Sequence, residues 1–90
     1  MPKENKIEGF VFPLKYTVKA MGLNNDKFEE IVLKTIKPHC EKIFMKSLKH
    51  KISKNSKYLS VSIDVKVLNR ENLDLLYKDL TDNKKILMRL

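Results

Sequence analysis

Few side chains in this chain could do covalent chemistry, and their spacing decides most of the argument. His39 and Cys40 are adjacent, and His50 stands ten residues further on. A thiol beside an imidazole suggests a nucleophile and its base. Neighbouring residues rarely point at each other, however, and no third group is placed to orient the pair. A small thiol at the end of an apolar helix stripe is more often packing. His50 shares the parity of Leu48 and Ile52, which suits a satisfied, half-buried ring better than a ligand. No Cys-x-x-Cys, His-x-x-x-His or clustered carboxylate set occurs, so neither a metal nor another cofactor is expected. Only Gly9 and Gly22 are present, too few for a glycine-rich phosphate loop. The chain reads as a non-enzyme.

Charge is the stronger signal. Of a net +8, six lysines between Lys42 and Lys57 supply +6, with no acid among them. Such a run suits a phosphate backbone, an acidic protein or an anionic surface, and it also suits a solvated edge strand that resists aggregation. Lys49, Lys51, Lys54 and Lys57, with Tyr58 and Ser60, are the candidate contacts for a partner or an anion. Arginine, the bidentate phosphate reader, is confined to Arg70 and Arg89 outside the run.

These residues must be positioned by something. Ninety residues, 42% hydrophobic and 33% charged, fit one soluble domain with one modest core. The lone Cys40 excludes an internal disulfide and suits a reducing compartment. No apolar run serves as a signal segment or membrane span, so the chain is expected to be cytoplasmic. Residues 1–12 read as a flexible tail and 13–90 as the domain.

Within it, Leu14, Tyr16, Val18 and Ala20 alternate with Lys15, Thr17 and Lys19, which predicts a half-buried strand. Asn25 or Asp26, with Glu29, predicts a capped helix start, followed by a stripe of Phe28, Ile31, Val32, Thr35 and Ile36. Pro38 ends that helix. Ile43, Phe44 and Met45 form an apolar cluster; Leu48, His50 and Ile52 then alternate with Lys49 and Lys51 in an edge strand. "SKNSK" (Ser53 to Lys57) is a turn. The stretch from Tyr58 to Val67 alternates most cleanly, with Leu59, Val61, Ile63, Val65 and Val67 facing inward. Asn69 caps a second helix whose stripe is Leu73, Leu76, Tyr77 and Leu80. Ile86, Met88 and Leu90 alternate in a last short strand.

The order βαββαβ, with right-handed crossovers, predicts an α+β ferredoxin-like plait: a four-stranded antiparallel sheet, strands one and three central, both helices on one face. Lys15, Thr17, Lys19, Tyr58, Ser60, Ser62 and Asp64 then share the open face. RNA-recognition modules of this shape stack bases on aromatics from the central strands. Here only Tyr58 is available, so nucleic acid ranks below a protein partner or a small acidic effector. Any weak self-association is expected at the sheet edges or open face.

"FPLKYTVKAMGL" (Phe12 to Leu23), "SKNSKYLSVSIDV" (Ser53 to Val65) and "LLYKDLTDNKKILMRL" (Leu75 to Leu90) resemble the YbeD-like family of small uncharacterised bacterial proteins. The resemblance implies a ferredoxin-like fold similar to ACT-type regulatory domains, and a regulatory role with no established activity. It also implies an effector loop between strand one and helix one, here Met21, Gly22, Leu23, Asn24 and Asn25. Relatives typically carry Ser-Ser-Lys-Gly before the tyrosine. This chain has Ser53-Lys54-Asn55-Ser56, which leaves Asn55 to take any positive φ.

Overall fold

A computed structural model of the chain describes residues 11–89. Leu14–Leu23 forms β1, Phe28–Ile36 forms α1, and a single 3-10 turn spans Lys37–His39. Lys42–Ile52 is β2, Tyr58–Val67 is β3, Arg70–Asp82 is α2, and Met88–Arg89 is β4. The sheet order is β2-β3-β1-β4, antiparallel throughout, with β1 and β3 central as their patterning requires.

The strict alternation of β3 buries every second residue, and Val61, Ile63, Val65 and Val67 are at most 1% exposed. Side chains alternate between the faces of a strand, so one set is driven under the helices. From above, Phe28, Val32 and Ile36 of α1 and Leu73, Leu76 and Leu80 of α2 close the core. Each such aliphatic side chain contributes about 1.5–3 kcal/mol through burial. Asn69 caps α2 as expected, its side chain accepting from the Asn72 amide at 2.8 Å. Tyr16 turns inward and meets Tyr77 edge-on, ring centroids 6.0 Å apart, with their hydroxyls in contact.

Four expectations need correction. The capping box of α1 does not form: Lys27 occupies the cap position without a side-chain bond. Asn25 acts one step earlier, its side chain accepting from the Lys27 amide at 2.8 Å, while Glu29 reaches across to His50. Three strands run the length of the sheet, and the fourth is only a two-residue pairing against Ala20 and Met21. Residues 84–87 form a turn and entry that bury Ile86 but reset the strand phase, so Met88 opposes Met21 on the open face and is 52% exposed. Positive φ falls on Ser56 (61°), not on Asn55, whose side chain instead accepts from the Lys57 amide at 3.1 Å. Phe12, assigned to the tail, packs against the core. The readings made for residues 1–10 and Leu90 lie outside the described residues.

The main irregularity lies in β2. Phe44 opposes Asp64 and Lys49 opposes Ser62, so five residues of β2 span two of β3. The Ser47 hydroxyl holds this bulge, donating to the Phe44 carbonyl at 2.6 Å and accepting from the Asp64 amide at 2.8 Å. Three extra residues invert the parity of the strand. Both Phe44 and Lys49 therefore stand on the open face, although they differ in parity.

Candidate functional site

The open face is best described in rows, because antiparallel partners stand side by side on the same face. Lys42, Lys66 and Lys15 form one row, and Phe44, Asp64 and Thr17 the next. Lys49, Ser62 and Lys19 form the third, followed by Lys51, Ser60 and Met21 with Met88 beside it. Six lysines thus share a face whose strand positions carry one carboxylate, Asp64. That carboxylate is engaged, accepting from the Thr17 hydroxyl at 2.7 Å.

The last two rows enclose a trough of about 610 Å³. Lys19, Lys49 and Lys51 supply its cations, Ser60 and Ser62 its hydroxyls, and Met21 and Met88 its apolar wall. Among the described residues, no carboxylate pairs with any of these three ammonium groups. Elsewhere lysines do find acids: Lys66 meets Glu41 at 3.3 Å and Lys78 meets Asp82 at 2.9 Å. The latter contact raises the Lys78 pKa from its ordinary value. Three uncompensated cations around one concavity favour an anionic guest.

Of the candidates drawn from the sequence, Met21, Lys49, Lys51 and Ser60 come together in this trough. Lys54 and Lys57 do not; they sit in the β2–β3 turn, where the Lys57 ammonium lies 5.4 Å from the Tyr58 ring centroid. Tyr58 closes the hairpin through its backbone, donating to the Ser53 hydroxyl and accepting from the Ser53 amide, both at 3.0 Å.

The expected effector loop is mostly strand, since Met21, Gly22 and Leu23 are the last residues of β1 and pair with β3, and its members are dispersed. Gly22 lies on the core face, where an added Cβ would come within 2.3 Å of the Phe28 ring. Asn24 is tied to the hairpin, its amide bonded to the Lys57 carbonyl and its side chain to the Ser56 carbonyl. Asn25 caps α1. Their polar groups serve the loop itself.

Lys19 and Ser62 belong to the site by parity but were not singled out from sequence. Met88 was hidden by the phase change before β4, and Phe44 by the bulge. The ammonium groups of Lys15 and Lys42 stand 5.0 and 4.9 Å from the centroid of the Phe44 ring.

The other chemistry-bearing groups are spent elsewhere. His39 bonds to Asp79 at 2.7 Å, linking the 3-10 turn to α2, and His50 pairs with Glu29. Burial pushes the Cys40 thiol up to about 11, so it is protonated and a poor nucleophile at neutral pH. Among the described residues, no three His, Cys, Asp or Glu side chains are grouped to hold a metal ion. No helix among them is long and apolar enough to cross a membrane.

Comparison with known proteins agrees with this fold. A family model described as "Protein of unknown function (DUF493)" matches residues 8–90. A UPF0250 protein of Neisseria gonorrhoeae is 31% identical over 84 residues, covering 93% of this chain and 92% of its own. A UPF0250 protein of Nitrosomonas europaea is 30% identical over 90 residues and covers 100% of both chains. The solution structure of protein HP0495 from H. pylori superposes with a TM-score of 0.70 at 20% identity, over 100% of this chain and 94% of that one. The crystal structure of the ACT domain from the GTP pyrophosphokinase of Chlorobium tepidum gives 0.66 at 10% identity, over 86% and 95%. At these identities the structural likenesses speak for fold alone.

Proposed function

The chain belongs to the DUF493 family, the family of the YbeD-like resemblance, and from that premise we propose that it is a small regulatory binding module. On this reading it has no catalytic activity of its own, resides in the cytoplasm, and captures an anionic group on the open face of its sheet. The observation that carries the proposal is the set of three unpaired lysines, Lys19, Lys49 and Lys51, around one trough. Holding three like charges close together opposes folding, and a bound anion relieves the repulsion. The regulatory part is drawn from analogy with the ACT-type fold. We take the architecture to be a ferredoxin-like plait whose fourth strand is seeded by Met88–Arg89.

A titration with inorganic pyrophosphate at low ionic strength, followed by amide NMR, tests the capture step. Shifts are expected at Lys49, Lys51, Ser60 and Ser62, and their loss in the Lys49→Gln/Lys51→Gln variant. Shifts concentrated instead at Asn24 and Asn25 would return the site to the β1–α1 loop.

The second reading, a module contacting nucleic acid through its lysines, is favoured by the six lysines of the open face. It predicts affinity that falls steeply with salt and partners lost from a lysate pull-down after nuclease treatment.

A further inference from the structure

Phe44 occupies a place that the core does not explain. It stands on the open face, one row from Lys49, Ser62 and Lys19, rather than under the helices with Ile43. Consecutive rows on one face of a strand lie about 7 Å apart. The ring is therefore about one row from the first two trough lysines and two rows from Lys51. The ring is attended by the tips of Lys15 and Lys42, flexible groups that can move aside for a flat guest.

A single carboxylate would leave most of the trough charge unbalanced, whereas a di- or triphosphate would match it. Lysine suits phosphate oxygens as a point charge and needs no bidentate geometry. An aromatic ring one row away fits a base joined to that phosphate through a sugar. The trough, at about 610 Å³, lies within the range of small-molecule sites.

We propose that the open face binds a nucleoside polyphosphate, with its base stacked on Phe44 and its phosphates among Lys19, Lys49 and Lys51. The inference rests on the anion-capture reading and names its ligand class. Ser60 and Ser62 donate their hydroxyls to the phosphates, and the displaced Lys15 and Lys42 tips contact acceptor atoms on the edge of the base, ring nitrogens in the case of adenine. No glycine-rich loop cradles the phosphates, so binding is sensitive to salt.

The test uses the full chain and four probes: ADP, inorganic pyrophosphate, adenosine and a short oligothymidylate. ADP is expected to bind about tenfold more tightly than pyrophosphate, the gain that stacking one base supplies. Phe44→Leu should erase that gain and leave pyrophosphate binding unchanged. A nuclear Overhauser contact between the Phe44 ring and base protons gives a readout independent of the variant's folding. Equal affinities for ADP and pyrophosphate, without that contact, overturn the nucleotide proposal while the anion trough stands. If neither phosphate probe shifts the trough amides, both fail. Tighter binding of oligothymidylate than ADP, with shifts extending to Lys15, Lys42 and Lys66, assigns the face to a polymer and overturns the free nucleotide.

Discussion

Gly22→Ala tests how the end of β1 is packed. Gly22 is not in the left-handed region, so its backbone tolerates alanine, and reduced freedom of the unfolded chain would favour the variant by about 0.4–1 kcal/mol. Opposing this, a Cβ at Gly22 would lie 2.3 Å from Phe28 Cε1 and 2.4 Å from the Lys85 carbonyl oxygen. The first obstacle is an aromatic ring that is 1% exposed and closed in by the core. The second is backbone, in the turn that buries Ile86. Overpacking of one methyl typically costs about 1–3 kcal/mol, and two rigid obstacles put this site at or above the upper end. The net loss is therefore about 2–3 kcal/mol.

For a domain of this size, each kcal/mol moves the melting midpoint by about 4–8 °C, so a fall of roughly 8–24 °C is expected. Thermal melting by circular dichroism reads it, and urea unfolding with an unchanged slope shows that the native state is what suffered. Combining Gly22→Ala with Phe28→Leu separates the two obstacles. The double variant should lose less than the sum of the single losses, with coupling of about 0.5–3 kcal/mol, because the ring clash is gone. It should not recover fully, since the Lys85 carbonyl remains. A Gly22→Ala protein melting within about 2 °C of the parent would refute the packing argument.

Ser56→Gly should stabilise the protein by about 0.5–1 kcal/mol in urea, because relief of the left-handed conformation at φ 61° exceeds the added chain entropy. Ser47→Ala removes the hydroxyl that holds the β2 bulge and leaves the Asp64 amide without its acceptor; a loss of about 1–3 kcal/mol is expected, with Phe44 and Lys49 amide shifts reporting the altered register. Val61→Asp buries an unpaired charge and should abolish the cooperative melt, whereas Ser62→Asp on the open face should fold and weaken pyrophosphate binding; the reverse pattern would refute the assignment of faces. The Cys40 thiol, raised to about 11 by burial, should resist a thiol reagent at pH 8 in the native protein and react fully in denaturant. Folding favours its protonated form, so that contribution to stability is present below the ordinary value of 9.0 and fades as pH rises through about 11.

What the sequence disclosed and what it hid follow from one physical distinction. β3, α1 and α2 were legible because each has one wet and one dry face, and a single period carries that division along the whole element. Lys19, Ser62, Lys49 and Lys51 could be placed on the open face by the same reasoning. Their convergence on a trough could not, since it depends on which residue of β2 opposes which residue of β3. That register changes at the bulge, where a serine hydroxyl replaces ladder bonds, and serine at position 47 carries no periodic mark. Counting parity back from Lys49 through Ser47 puts Phe44 in the core; three extra residues put it on the face instead. Met88 escaped for the same reason, because the phase is lost across residues 84–87. Gly22, part of the effector loop that the resemblance implies, instead lies where Phe28 and the Lys85 carbonyl leave no room for a side chain. The site candidates that survived, Met21, Lys49, Lys51 and Ser60, all point from strands onto the open face. Of those that dispersed, Asn24 and Asn25 lie in the β1–α1 connection, where their side chains are consumed by the backbone's own unpaired groups.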